Sequence, residues 1–577
     1  MIIDPRDGDA EDDASSTKSR SLLAIAGSLL AEISLTKLLL AWIVILIVPG
    51  VVLGMSLLVA TSWLSTISSR IAALAGLGPL IAIAAIAAVG LFGFRPLMRG
   101  AERGFWSLNS IVVQPYYALC REGLRHLTEL FLTGRASEAA RARLRAATAA
   151  GAGLVACAVA LAIVAAVWPA TLWATGVEAL TRPLHLIVPA LANAAVIIGL
   201  YLAAASLLWG AADATMDQPR DLQAFDEAPA DAPRWRVAHL SDVHVVGEQY
   251  GFRIESGRLG PRGNERLGRV LDRLDAIHAS DPLDFVLITG DMTDAGRSSE
   301  WAAFLDLVSR HPALAQRTFI LPGNHDVNIV DRNNPARLEL PMSPGKRLRQ
   351  MRALSAMDAV QGSRVHVFDH AHQQLGGLLS EALDPYRRSI REFADAGTPR
   401  LSRPLANLWA DLFPMVAIPQ SDDGLGVILL NSNAEANFSF TNALGLVSAE
   451  DTLALLAIAR TFPRARWIIA LHHHLVEYPK PAKTFSERIG TALINGSWFT
   501  RQLKPIAAGA IAMHGHRHID WIGSCGSLRI VSAPSPVMEA TNDEPTGFYI
   551  HTMAAGADGG LALLQPVRVG VPPESSS

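Results

Sequence analysis

The spacing of hydrophobic positions changes character once along this chain. Up to about residue 212 the apolar residues run continuously, with no polar face. From Trp235 onward, short apolar runs alternate with helix-length stretches of mixed polarity. Four windows in the first part carry almost no charge: about 38–59, 72–94, 147–170 and 185–209. A bilayer-spanning helix needs about 20 apolar residues, and each window meets that length. A buried helix of a soluble protein is usually shorter and shows one polar stripe. The pattern therefore predicts an all-α membrane domain of four transmembrane helices over 37–212, after an N-terminal tail, 1–36. A cleaved leader fits poorly, because the first long run starts late and three more follow.

Charge orients the spans. The stretch 95–146 between the second and third windows holds nine arginines from Arg95 to Arg145, whereas the other two connections hold Arg70 and Arg182 alone. Basic loops stay on the cytoplasmic side, so the tail and 95–146 are expected to be cytoplasmic, and four crossings return the C-terminal part to that side. The spans hold almost no ionisable group except His185, near the start of the fourth window. Transport usually needs intramembrane charge, so the helices read as an anchor in contact with the lipid bilayer. Arg far outnumbers Lys and Ala is abundant; this suits a GC-rich bacterial genome and hence a multi-pass protein of the inner (cell) membrane.

The acidic, Pro/Ala-rich stretch 213–234 reads as a linker. Beyond it, 235–577 carries candidate strands Trp235–Leu240, Phe285–Thr289, Thr318–Leu321, Val427–Asn431, Trp467–Leu471 and Ala510–Met513. Helix-like segments such as Glu265–Ala279 and Glu300–Ser309 lie between several of them, the pattern of a layered α/β domain. Arg-rich segments within about 331–420 predict a helical insertion. The net charge of −3 gives no sign of a nucleic-acid partner. The three cysteines, of which only Cys525 lies in the polar half, exclude a disulfide framework and a Cys-based zinc site there.

Polar clusters follow five of the predicted strands, where α/β folds gather functional groups. They are SDVH (Asp242, His244), GDMTD (Asp291, Asp294), GNHD (Asn324, His325, Asp326), HHH (His472 to His474) and HGHRH (His514, His516, His518). Each alone is an ordinary turn or N-cap; their conjunction in fixed order is not. Mixed oxygen and nitrogen donors without thiolate suit Mn, Fe or Zn. The donors outnumber what one ion needs, and two ions sharing a carboxylate would use them.

The order Asp-x-His, Gly-Asp-x-x-Asp, Gly-Asn-His-Asp, His, Gly-His-x-His resembles the calcineurin-like metallophosphoesterase superfamily over roughly 235–550. The resemblance implies a four-layer αββα sandwich, two divalent metal ions, and hydrolysis by a metal-bridging hydroxide. Carried over, Asp242, His244 and His518 would hold one metal, Asn324, His472 and His516 the other, and Asp291 would bridge them. His325 would act at the leaving group, with Asp326 orienting it and Asp294 behind the ligands. The fourth motif lacks the usual Pro; register favours His472, with His473 as runner-up. His514 reads as a packed strand-end residue. Residues 426–461 resemble the cyclic-nucleotide phosphodiesterase branch, while the anchor favours a lipid-linked phosphate or pyrophosphate, as in superfamily hydrolases of a UDP-linked acylated glucosamine. The competing class is a metal-binding membrane scaffold or sensor with weak or no catalysis.

Overall fold

The computed structural model describes residues 43, 47–68, 114–131, 137–175, 183–247, 262–330, 339, 343–436, 439–479, 491, 493–538, 545–557 and 559–572. The chain divides into two compact units, one over Ala31–Met216 and one that contains Asp217–Ser577.

In the first unit the described helices are Val48–Ser68, Gln114–Phe131, Glu138–Val167 and Ile187–Thr215. Ser137 starts the third, its hydroxyl accepting from the Ala140 N–H at 3.3 Å, and the helix ends where Trp168-Pro169 tightens into a 3₁₀ turn. Among the described residues, two helices are long and apolar enough to cross a membrane, Ala140–Ala170 and Leu184–Thr215. They pack together through small residues. A Cβ on Gly153 would stand 2.7 Å from the Ser206 carbonyl oxygen, so only glycine allows this approach. Leu154, Val155, Val159, Leu207 and Leu208 point outward and exposed. Of the other two expected spans, 72–94 lies outside the described residues. The window 38–59 overlaps the helix that begins at Val48, whose apolar part, Val48–Ser62, is shorter than the other two. Four spans are thus not all present among the described residues.

The second unit is a mixed α/β sandwich of two sheets. One has nine strands in the order β1-β11-β12-β10-β9-β8-β7-β5-β6, the other six in the order β14-β13-β2-β3-β4 with β15 beside β13. The strands are β1 Pro219–Asp221, β2 Arg234–Leu240, β3 Phe285–Ile288, β4 Thr318–Ile320, β5 His366–Asp369, β6 Gln374–Leu378, β7 Met415–Ala417, β8 Leu425–Leu429, β9 Arg466–Ala470, β10 Ala510–His514, β11 Trp521–Cys525, β12 Leu528–Ser532, β13 Thr546–Ala555, β14 Leu561–Leu563 and β15 Val567–Val571. β2, β3 and β4 run parallel, as do β8, β9, β10 and β12. β3, β8, β9 and β10 among them are largely unbroken apolar runs, and burial on both faces is why they do not alternate. Leu240, Ile288 and Ile320 from one sheet share a core with Leu429, Ile468 and Met513 from the other.

Two expected boundaries differ from the structure. The stretch 213–234 is not a free linker: a helix runs to Thr215 and β1 pairs antiparallel with β11. Two of its acids are tied into the fold. Asp221 Oδ1 accepts from the Trp521 indole at 2.9 Å, and Asp226 Oδ2 accepts from the Leu563 N–H at 2.8 Å. The segment 331–420 is not purely helical. Helices Pro344–Gln361 and Arg387–Ala396 are present, but β5, β6 and β7 extend the nine-stranded sheet by antiparallel pairing. β6 contains Gly376-Gly377, poor strand formers, so its conformation comes from the edge it joins.

Candidate metal centre

Register sets the level of the site. Leu240 pairs with Ile288, Ile288 with Ile320, and Ala470 with Met513, so the loops after β2, β3, β4, β9 and β10 leave their sheets at matched heights. The backbone turns sharply there. Asp242, His244, Asp291, His516 and His518 all have positive φ, from 42° to 76°, and Gln373 is the one other such non-glycine residue among the described residues. A non-glycine residue in this region costs about 1–3 kcal/mol and persists only where its surroundings over-determine it. Here the loops brace one another. The Asp242 N–H donates to the Gly290 carbonyl and the His244 N–H to the Asp291 carbonyl, each at 3.0 Å. Gly290 itself has φ +99°, and a Cβ there would lie 2.3 Å from His472 Nδ1.

The side chains converge in two groups, Asp242 with His244 and His518, and Asp291 with His472 and His516. In the second, His472 Nε2 lies 3.2 Å from Asp291 Oδ2, 3.1 Å from Asn324 Oδ1 and 3.1 Å from His516 Nδ1. Each imidazole meets a carbonyl with its other nitrogen, His472 Nδ1 at Thr289 O (2.8 Å) and His516 Nε2 at Thr491 O (3.2 Å). Such bonds leave His472 Nε2 and His516 Nδ1 as the atoms that present lone pairs to a metal. In the first group His518 Nε2 is 3.4 Å from Asp242 Oδ1. The His244 nitrogens lie 3.7 Å from Asp291 Oδ2 and 3.2 Å from Asp294 Oδ1. Asp291 Oδ2 therefore faces both groups. Four lone-pair donors around one point, with two carboxylates and no compensating Lys or Arg in the clusters, fit divalent cations held by oxygen and nitrogen.

Electrostatics agree with that demand for positive charge. Burial alone would push the His472 imidazole down, but the Asp291 carboxylate, helped by Asp242 and the Thr289 carbonyl, holds the pKa up at about 9. Burial likewise opposes ionisation of Asp291, and His472, His325 and His244 overcome it, leaving the carboxyl well below its ordinary value. Burial, followed by the charge of Asp291, raises Asp326 to about 6.

His325 and Asp326 do not form the expected pair. His325 Nδ1 meets the Asp294 carbonyl oxygen at 2.7 Å. Asp326 instead laces two loops together: Oδ1 accepts from Thr293 N–H (2.9 Å) and Oγ1–H (2.6 Å), and Oδ2 from Gly323 N–H (2.8 Å) and Met292 N–H (3.3 Å). Asp294, expected behind the ligands, reaches His244 directly and groups with His244 and His325. His514 is fully buried at the end of β10. Sequence reasoning missed Ser432, which lies under the His472-His473 backbone, and the Arg517–Glu477 pair (2.9 Å) that pins the HGHRH loop. Ser432 and Glu477 belong to no chemically suggestive motif, and Arg517, though inside HGHRH, is not a ligand type, so no sequence signal marked them.

Residues 236–520 match the family model described as calcineurin-like phosphoesterase. No curated protein matches this chain. Among solved structures, a dimetal phosphatase from Danio rerio is 11% identical with TM-score 0.33, the match covering 58% of this chain and 99% of that one. Calcineurin-like phosphoesterase YfkN from Bacillus subtilis is 13% identical with TM-score 0.30, covering 59% and 91%. A Staphylococcus aureus protein assigned as a 5′-nucleotidase, solved with α-ketoglutarate, is 14% identical with TM-score 0.32, covering 60% of this chain and 56% of that one, so this chain spans little more than half its length.

Proposed function

We propose that this chain, whose residues 236–520 form a calcineurin-like phosphoesterase domain, is a membrane-anchored hydrolase of phosphodiesters or pyrophosphates that works with two divalent ions. The observation that carries the reading is the Asp291 carboxylate, whose Oδ2 lies 3.2 Å from His472 and 3.7 Å from His244, between the two donor groups. Asp242, His244 and His518 would hold one ion, and Asn324, His472 and His516 the other, with Asp291 shared. Mn, Fe or Zn suits these donors. Such ions, when bound, make hydroxide available at neutral pH and offset charge on the phosphoryl oxygens.

The chain's own residues do the rest. His325, steered by the Asp294 carbonyl at Nδ1, would give its proton to the leaving oxygen from Nε2. Asp326 positions Asn324 and His325 by tying their loop to Thr293. The apolar helices Ala140–Ala170 and Leu184–Thr215 support an anchor, and the Arg-rich 95–146 supports a cytoplasmic catalytic domain. Held at a membrane, the site favours a lipid-linked phosphate or pyrophosphate over a soluble cyclic nucleotide.

The test uses the full chain in lipid nanodiscs, stripped of metal and reloaded with Mn²⁺, against a generic phosphodiester and a generic phosphomonoester. Metal-dependent diester hydrolysis that Asp291→Asn and His325→Ala both abolish is the expected result. A protein that binds two ions yet hydrolyses neither ester, nor a lipid pyrophosphate, belongs to the scaffold class instead.

A further inference from the structure

His473 stands one residue beyond the candidate ligand His472, and its hydrogen bonding fixes which of its nitrogens carries the proton. Ser432 Oγ accepts from the backbone N–H of His472 and from that of His473, both at 3.1 Å. A hydroxyl has two lone pairs and one proton. With both lone pairs filled, the proton goes to His473 Nδ1, 2.9 Å away. Nδ1 is thus an acceptor, and the ring proton sits on Nε2.

That Nε2–H is fully buried and has no hydrogen-bond partner among the described residues. Its ring lies 4.4 Å, centroid to centroid, from His516 and 5.0 Å from His472, beside the second donor group. A Cβ on Gly445 would stand 2.5 Å from His473 Cγ, so the chain packs tightly on the opposite edge of the imidazole and holds it in place. The neighbouring imidazoles are accounted for differently. His472 and His516 each meet a carbonyl with one nitrogen and the donor cluster with the other. His473 alone of the three is oriented by a hydroxyl and left as an N–H donor. Buried donors almost always have acceptors. A donor held without one beside a centre built for anionic esters matches a ligand that brings its own acceptor oxygen.

We propose that His473 is a substrate-contacting residue whose Nε2–H donates to a non-bridging oxygen of the bound phosphoryl group, with Ser432 as its positioning residue. The inference rests on the phosphoesterase reading above and deepens it. It accounts for the second histidine of the LHHHL stretch without making it a ligand.

The full chain in nanodiscs, loaded with Mn²⁺, separates the roles. His473→Asn keeps an acceptor toward Ser432 and removes the distal donor; His473→Gln places an amide N–H₂ near the Nε2 position. Three quantities are read: bound Mn²⁺ by elemental analysis, the dissociation constant of inorganic phosphate by calorimetry, and kcat/KM on a generic phosphodiester. The expected result is two ions in every variant. His473→Asn binds phosphate about tenfold more weakly, the scale of one lost hydrogen bond to a charged group, while His473→Gln stays within about threefold of the parent, since it restores the donor.

Unchanged phosphate binding in His473→Asn overturns the proposal, as does an equal loss in both variants, which marks a packing role. Loss of an ion in His473→Asn also overturns it, and makes His473 a ligand. The phosphate arm keeps this inference separate from the phosphoesterase reading. If the parent binds phosphate through its ions but turns over no ester, that reading fails while His473 is still tested by affinity.

Discussion

At the scale of single residues, the site is defined as much by backbone as by side chains. Five candidate ligands sit at positive φ, so each is held where an unconstrained chain would avoid it, and the bracing bonds between loops supply the constraint. Asp326 is the centre of that bracing. Replacing it by Asn leaves one oxygen to accept and turns an N–H₂ toward two N–H donors. Asp326→Asn is expected to cost about 1–3 kcal/mol of stability and to weaken metal binding about 10- to 100-fold. Denaturant melts and metal titration against a chelator read the two effects, and unchanged metal affinity would refute the bracing role. His472 gives a pH dependence with a definite sign. Against the effect of burial, Asp291 with Asp242 and the Thr289 carbonyl raises its pKa to about 9, so below that pH a proton must leave before a cation enters. Affinity therefore falls as pH drops from 9 toward 6, by up to about tenfold per unit. Calorimetry in buffers of different ionisation enthalpy would detect the released proton, and a pH-independent affinity would rule out His472 as ligand. At this scale the sequence exposes the residue types and their order. It does not expose which partner each one meets: Asp326 looked like a partner for His325, yet the Asp294 carbonyl takes that place, and no residue pattern announces a backbone acceptor.

At the scale of elements, the parallel strands were legible because burial on both faces makes them unbroken apolar runs. The expected Trp235–Leu240 and Ala510–Met513 differ from β2 and β10 by a residue at one end. The edge strands were not legible. β1 is Pro-Arg-Asp and β6 holds two glycines, and both are strands through pairing with β11 and β5. The helical reading of 331–420 failed there for the same reason, since tertiary pairing overrides weak local preference. The strand-to-loop turns are also element-scale devices, and Gly290 at the end of β3 tests them. It combines φ +99° with a Cβ position 2.3 Å from His472 Nδ1. Gly290→Ala must shift either the turn or the imidazole. Its expected outcome is loss of at least one bound ion per chain by elemental analysis, with the fold retained by circular dichroism. Full metal loading in the variant would mean that the turn is not what places His472.

At the scale of the whole molecule, two kinds of physics share one chain. The unit over Asp217–Ser577 buries its apolar residues inside a two-sheet sandwich. The unit over Ala31–Met216 leaves Leu154, Ile163, Val188 and Leu208 facing outward at 51% exposure or more. In water, outward rows of this kind on helices 31 and 32 residues long would drive aggregation; in lipid they cost nothing, and every backbone group of a helix is already paired. The full chain is therefore expected to stay with the membrane fraction through alkaline carbonate and high salt, and to be released by detergent alone. The proposed sidedness rests on the arginines of 95–146. A reporter fused after Ser577 should be active in its cytoplasmic form, and external protease should leave the catalytic unit intact in whole cells but cut it once the membrane is opened. Release by carbonate would remove the anchor and, with it, the preference for a lipid-linked substrate. Cleavage of the catalytic unit in intact cells would reverse the orientation and direct the search to phosphoesters outside the cytoplasm.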